Sequence, residues 1–183
     1  MLFYKEKEIA VFIDKFLEGD KSAFDDIAKL VIPDIANIAY RYLGNSDDAK
    51  DITQVVLLKL YKKIKFFRNS SKLSTWIYRI VANTSIDFLR RKKNTVSLDE
   101  AITKDAESEN TLGGSIEKKD VQYRIQAALS KLSRRQKNVI ILKHFEGLKI
   151  NQISKILGCS QSSIKTHLVR ALENLKECLG GIK

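Results

Sequence analysis

Apolar residues recur at three- and four-residue spacing along most of this chain, and alternation of period two is nowhere sustained. The spacing predicts an amphipathic helix over 6–17, closed by Gly19-Asp20, and a second helix beginning near Ser22. Pro33 is expected to kink or restart that second helix, which continues through Ile35, Ile38, Ala39 and Tyr42 to Leu43-Gly44. The turn Asn45-Ser46-Asp47-Asp48 offers several caps for a third helix over 47–65. A polar, basic loop follows at 66–72. Ser74 or Thr75 then opens a fourth helix reaching Arg91, with Leu73, Ile77, Ile80, Val81 and Phe88 as its apolar stripe. The expected fold class is all-α.

The last third carries the sharpest pattern. In KINQISKILGCSQSSIKTHLVRALENL, Ile150, Ile153, Ile156 and Leu157 mark one buried helical face, and Gly158 supplies the backbone freedom of a sharp exit. Ser160 can cap a second, longer helix. There Ile164, Leu168, Leu172 and Leu175 are expected to point inward, with Ser162, Lys165, Thr166, Val169 and Arg170 outward. Hydroxyls, a methyl-bearing side chain and two cations suit the base edges and phosphates of a DNA major groove. A plain helical hairpin with a solvated basic face fits the same spacing.

Charge widens the picture. The 183 residues carry a net +11, which calls for a polyanionic partner: nucleic acid first, then membrane surfaces or acidic proteins. Residues 95–117 hold six acids against Lys104, a net of −5, so the rest of the chain carries +16. That window also contains Gly113-Gly114 and no apolar period, and it reads as a flexible acidic linker. Two small helical domains are therefore expected, at 1–94 and 118–183. No run of about 18 apolar residues is present, and the start of the chain lacks a signal-peptide core, so neither membrane insertion nor export is expected and the location is cytoplasmic. Cys159 and Cys178 suggest neither a disulfide framework nor a metal cluster, and serve as small apolar fillers. No cofactor is expected, and no GxxxxGK[ST] loop for nucleotide hydrolysis is found.

The fourth helix has a second periodic set. Trp76, Arg79, Asn83 and Arg90 fall three, four or seven residues apart, on a side other than the apolar stripe. Cations neutralise phosphate, an aromatic stacks on an unpaired base, and Asn pairs with a base edge. The preceding Arg68-Asn69-Ser70-Ser71-Lys72 stretch has donors enough to surround an extruded base. Trp76 as simple core, and the Arg90-Arg91-Lys92-Lys93 run as a solvated helix end, remain the alternatives.

The succession DITQVVLLKLYKK, STWIYRIVANTSIDFLRRKK, an acidic linker and LSRRQKNVIILKHFEGLKINQISKILGCSQSSIKTHLVRALENL resembles bacterial sigma factors of the sigma-70 family. It looks most like their extracytoplasmic-function group, which keeps only the second and fourth sigma domains. The resemblance implies sigma domain 2 at 1–94 and sigma domain 4 at 118–183, and a protein that binds RNA polymerase core, directs it to promoters and assists melting. It implies that Asp51, Gln54, Leu58 and Lys59 meet the clamp coiled coil of the largest subunit. Where the family often has an acidic residue after the Gln and an aromatic two places on, this chain has Val55 and Leu57. From residue types alone, Val55, Val56 and Leu58 read as core.

The resemblance further assigns Arg68, Asn69, Ser71 and Lys72, with Trp76, Arg79 and Asn83, to capture of a flipped non-template base of the minus-ten element. Arg90 and Arg91 would hold phosphates upstream. Ser162, Ser163, Lys165, Thr166, His167 and Arg170 match the helix that reads the minus-thirty-five element, with Ser162-Ser163 in place of the usual Gly-Thr and Gln152 in place of a Glu. The polymerase flap is the expected second contact on the core, an anti-sigma factor is an expected partner, and the linker is expected to thread the active-centre cleft. A self-sufficient helix-turn-helix regulator explains only the last third. A small metal-dependent nuclease would need clustered carboxylates or His, yet the acids concentrate in the linker.

Overall fold

A computed structural model describes residues 6–67, 73–96 and 116–179 of the chain. They form eight α-helices with no strand among the described residues: α1 (Glu6–Leu17), α2 (Ala23–Leu43), α3 (Ser46–Lys63), α4 (Leu73–Val96), α5 (Ile116–Lys131), α6 (Arg134–Ile140), α7 (Ile150–Leu157) and α8 (Gln161–Leu179). The all-α expectation holds. Two compact units divide the chain, Met1–Arg91 and Lys92–Lys183.

In the first unit α2 is the central element. Ile27, Val31, Ile35, Ile38 and Tyr42 follow one another at three or four residues and are all buried. They pack against Ile9 and Ile13 of α1 and Ile52, Val56 and Leu60 of α3, while α4 contributes Ile77, Tyr78 and Val81 to the core. Pro33 does not restart the helix: α2 runs unbroken through Pro33, which lies on an exposed face. Burial pushes the Tyr78 hydroxyl above its ordinary range, and the charge of Asp34 on α2 adds to the shift. Gly44 ends α2 in the left-handed region (φ 73°), donating to Tyr40 O at 2.7 Å. Asn45 then caps α3, its Oδ1 accepting from the N–H groups of Asp47 and Asp48 at 2.9 Å each. The third helix closes two residues earlier than the spacing predicts, in a 3₁₀ turn over Ile64–Phe66.

The second unit is built from shorter pieces. Ser133 and Gln136 form a reciprocal capping box at the start of α6: Gln136 N–H donates to Ser133 Oγ at 3.4 Å and Ser133 N–H to Gln136 Oε1 at 3.0 Å. A widened π turn, Ile141–Phe145, follows. Leu129, Leu132, Ile140 and Ala171 make the core of this unit, with Ile125, Phe145, Leu168 and Leu175 against them. Leu172, expected inside, is 44% exposed, and Ala171 takes its place. Seven residues of helix return to within about 20° of the starting direction, so the stripe from Ile164 passes through Ala171 rather than its larger neighbour.

Of the acidic window 95–117, residues 95–96 end α4 and 116–117 begin α5, while 97–115 lie outside the described residues, as do 68–72 and with them Arg68, Asn69, Ser71 and Lys72.

Candidate nucleic-acid interface

Alpha-8 presents a polar outer face because its apolar stripe anchors the opposite one. Gly158 (φ 65°) turns the chain out of α7, donating to Ser154 O at 2.9 Å, and Ser154 Oγ donates to Cys159 O at 2.6 Å. Ser160 caps α8 by accepting from Ser163 N–H at 3.2 Å, as the sequence predicts, and its hydroxyl lies 2.9 Å from that of Ser162. Thr166 Oγ1 donates to Ser162 O one turn back at 3.1 Å, which leaves its methyl group outward. Ser162, Lys165, Thr166, Val169 and Arg170 are exposed; Ser163 and His167 are half-buried at the edge of that face. At the start of α7, Gln152 Oε1 accepts from Lys149 N–H at 2.8 Å, so the exchange of Glu for Gln keeps the cap. Cys159 is half-buried, whereas Cys178 is exposed and fills no core; His144 is exposed as well.

On α4 the outward set is shorter than expected. Arg79 and Asn83, one turn apart, are exposed, as are Arg90 and Arg91. Arg90 Nη2 lies 3.7 Å from Asp87, a solvent-screened pair of little weight. Trp76 is half-buried beneath Phe67, with ring centroids 5.2 Å apart and planes at 39°.

Alpha-3 settles which of its apolar residues are core. Val56 is buried, but Leu58 is 61% exposed and Val55 is exposed as well, while Tyr61, partly exposed, sets its ring edge-on against Phe16 and Phe24. Asp51 and Gln54 are exposed on the same helix. The helix thus carries an apolar strip edged by polar groups, suited to a helical protein partner. Lys59, on the same helix, is half-buried. Its Nζ donates to Thr84 Oγ1 on α4 at 2.9 Å, and Thr84 Oγ1 donates in turn to Ile80 O at 2.7 Å. Thr84 is a residue the sequence reading missed, because nothing local marks a partner 25 positions away. Phe66, fully polar-loop material by that reading, instead stands out as an exposed ring.

Among the described residues no three His, Cys, Asp or Glu side chains gather closely enough to hold a metal ion, and no helix is long and apolar enough to cross a membrane.

Comparison with known proteins bears on both units. Residues 18–95 match the family model for Sigma-70 region 2, and residues 122–175 that for Sigma-70, region 4. The chain is 32% identical over 176 residues to the ECF RNA polymerase sigma factor SigW of Bacillus subtilis, covering 91% of this chain and 94% of that one. It is 34% identical over 146 residues to RNA polymerase sigma factor SigV of the same organism, covering 78% and 82%. Among solved structures, the sigma factor RpoE in its co-crystal with the anti-sigma factor NepR from Bartonella quintana matches with a TM-score of 0.69 at 27% identity, over 87% of this chain and 98% of that one. CnrH, solved with the cytosolic domain of CnrY, shares the fold with a TM-score of 0.71 at 17% identity, over 94% and 97%. With both sigma regions matched in order and relatives aligned along nearly the whole length, the chain belongs to the sigma-70 family, as a member of its extracytoplasmic-function group.

Proposed function

We propose that this protein is a promoter-specificity subunit of RNA polymerase: it binds the core enzyme, directs it to a set of promoters and assists their opening. The observation that carries this reading is the ordered match to region 2 and region 4 on one chain. A stand-alone regulator would need only the second, and a dimerisation surface besides.

The residue roles follow from what each face offers. The strip of Val55, Leu58 and Tyr61, with Asp51 and Gln54 beside it, docks on the clamp coiled coil of the largest subunit. Arg79 and Asn83 take up the non-template strand of the minus-ten element as it opens, with Arg68, Asn69, Ser71 and Lys72 surrounding the extruded base. Extrusion costs a few kcal/mol, which hydrogen bonds and stacking offset without nucleotide hydrolysis. Ser162, Lys165, Thr166 and Arg170 read the minus-thirty-five element in the major groove, Val169 and the Thr166 methyl meeting thymine methyls. Residues 1–94 and 118–183 act as the two sigma domains, the second also contacting the flap, and 95–117 as an acidic linker drawn into the basic nucleic-acid path of the polymerase. An anti-sigma protein is a further partner, as RpoE, a relative in fold, was co-crystallised with one, and one covering the α3 strip would keep the subunit from the core. The protein works in the cytoplasm, where the polymerase is.

Transcription from a cognate promoter by sigma-free core, with and without the purified protein, tests the reading. Initiation that depends on the protein and on both promoter elements is expected. Duplex binding without core, and no stimulation with it, would leave the regulator instead.

A further inference from the structure

Between Leu73 and Ile86, α4 is sunk so far into the first unit that only Arg79 and Asn83 are exposed. Alongside Ile77, Tyr78, Val81 and Ile86, its buried positions include the small polar residues Ser74, Thr75, Thr84 and Ser85. Apolar burial holds such a helix down without fixing its rotation closely, because the hydrophobic effect is non-directional. A hydrogen bond does have a direction. One joins α4 to α3 here: Lys59 Nζ donates to Thr84 Oγ1 at 2.9 Å. The next hydroxyl along, Ser85 Oγ, is buried with no hydrogen-bond partner among the described residues.

Three observations bring this bond to bear on Asn83. Thr84 follows Asn83 directly in the chain. Its Oγ1 also donates to Ile80 O at 2.7 Å, so the hydroxyl bridges the very turn of helix that carries Asn83. A helical threonine has two accessible χ1 wells, and one of them makes this bond to the carbonyl four residues back. An ammonium donating to the same oxygen holds the side chain in that well, where the back-bond bends the helix and redirects its neighbours. The third observation is where Lys59 lies: it is half-buried, whereas Lys62, Lys63 and Lys65 just beyond it are exposed.

We propose that Lys59 is a positioning residue for promoter opening: through Thr84 it fixes the turn of α4 that aims Asn83 at the non-template strand. Lys59 itself touches no DNA in this role. The proposal rests on the initiation-factor reading and adds to it a residue that acts through another. The competing role is the polymerase contact that the family resemblance implies for Lys59. Its bond to Thr84 favours the inward role, because an ammonium drawn out to a partner leaves the buried Thr84 hydroxyl short of a donor. A satisfied polar link between two packed helices serves to specify one arrangement of them.

The test uses the full chain assembled with sigma-free core. The probe is a fluorescent single-stranded oligonucleotide spanning the non-template minus-ten segment of a promoter that the wild-type holoenzyme opens. Core affinity and melting temperature are measured for every variant. Lys59→Met should weaken probe binding about fivefold, the worth of one hydrogen bond, with core affinity unchanged. Thr84→Val should match it, and Thr84→Ser, which keeps the hydroxyl, should stay within about twofold of wild type. In an Asn83→Ala background Lys59→Met should add no further loss, since its effect passes through Asn83. Ile9→Val takes one methyl group from the core on the α1 side and lowers the melting temperature without touching α4's bond, so it should bind the probe as wild type does. The proposal is overturned if Lys59→Met binds the probe like wild type, if its loss persists in Asn83→Ala, if Thr84→Ser fails as Thr84→Val does, or if Ile9→Val loses as much. Core affinity falling by the same factor as probe binding also overturns it and returns Lys59 to the polymerase. A wild-type protein that cannot activate core on any promoter removes the initiation-factor reading itself, and this is measured before any variant is made.

Discussion

The two units meet nucleic acid with opposite designs. In the second, a short helix, a left-handed glycine and a serine cap fix a 19-residue helix whose outer face repeats hydroxyl, cation and methyl groups at helical spacing. That is a surface for intact duplex, where a groove presents base edges in a regular array. In the first, the described polar side chains Arg79 and Asn83 sit one turn apart beside a stretch rich in cations and rings. That surface suits a strand already splayed open, whose bases offer flat faces and unpaired edges. Net positive charge, +6 over 1–94 and +10 over 118–183, therefore serves two tasks, and the side-chain types between the cations decide which.

Removing Arg79 and Asn83 together is expected to break this contrast most severely. Two contacts of roughly 1.5 kcal/mol each amount to about a hundredfold loss of promoter opening. Permanganate reactivity of the minus-ten region reads that loss, and protection of the minus-thirty-five duplex should persist. Lys165→Ala with Arg170→Ala should act the other way. Duplex affinity should fall about tenfold and the dependence of log affinity on log salt should flatten by about two, while a pre-melted template is still used.

A smaller effect sharpens the picture of the first unit. Lys59→Met and Thr84→Val each remove the hydrogen bond between α3 and α4, at a cost of about 1 kcal/mol in denaturant unfolding. The double variant should lose no more than either single one, and Thr84→Ser should behave as wild type. Core affinity falling sharply in Lys59→Met alone would return Lys59 to the polymerase contact. A pH-dependent effect is expected in the second unit. Burial lowers the Lys137 ammonium from 10.5 to about 8, so between those values the folded chain holds fewer protons than the unfolded one. Stability should therefore rise as pH climbs from about 8 towards 10.5, a gain that Lys137→Met removes relative to wild type.

Much of the architecture was legible in the chain because it is local. Helical spacing located α1 to its end residues, and Gly44, Gly158, Asn45 and Ser160 cap helices where their chemistry says they should. The outward residues of α8, Ser162, Lys165, Thr166, Val169 and Arg170, were readable for the same reason. What escaped depends on distant or competing neighbours. The hydrogen bond from Lys59 to Thr84 went unseen because the two lie 25 residues apart, and Leu172 looked buried because size favoured it over Ala171. The ring contact between Phe67 and Trp76 escaped as well, since helical spacing does not reach across the turn that separates them.

The division of labour is tested most directly by footprinting one promoter with holoenzymes carrying each pair of substitutions, reading duplex protection and permanganate reactivity in the same reaction. The account predicts that Arg79→Ala with Asn83→Ala silences permanganate reactivity and keeps upstream protection, whereas Lys165→Ala with Arg170→Ala loses that protection yet still engages a pre-melted template. Parallel loss of both signals in both variants would contradict it.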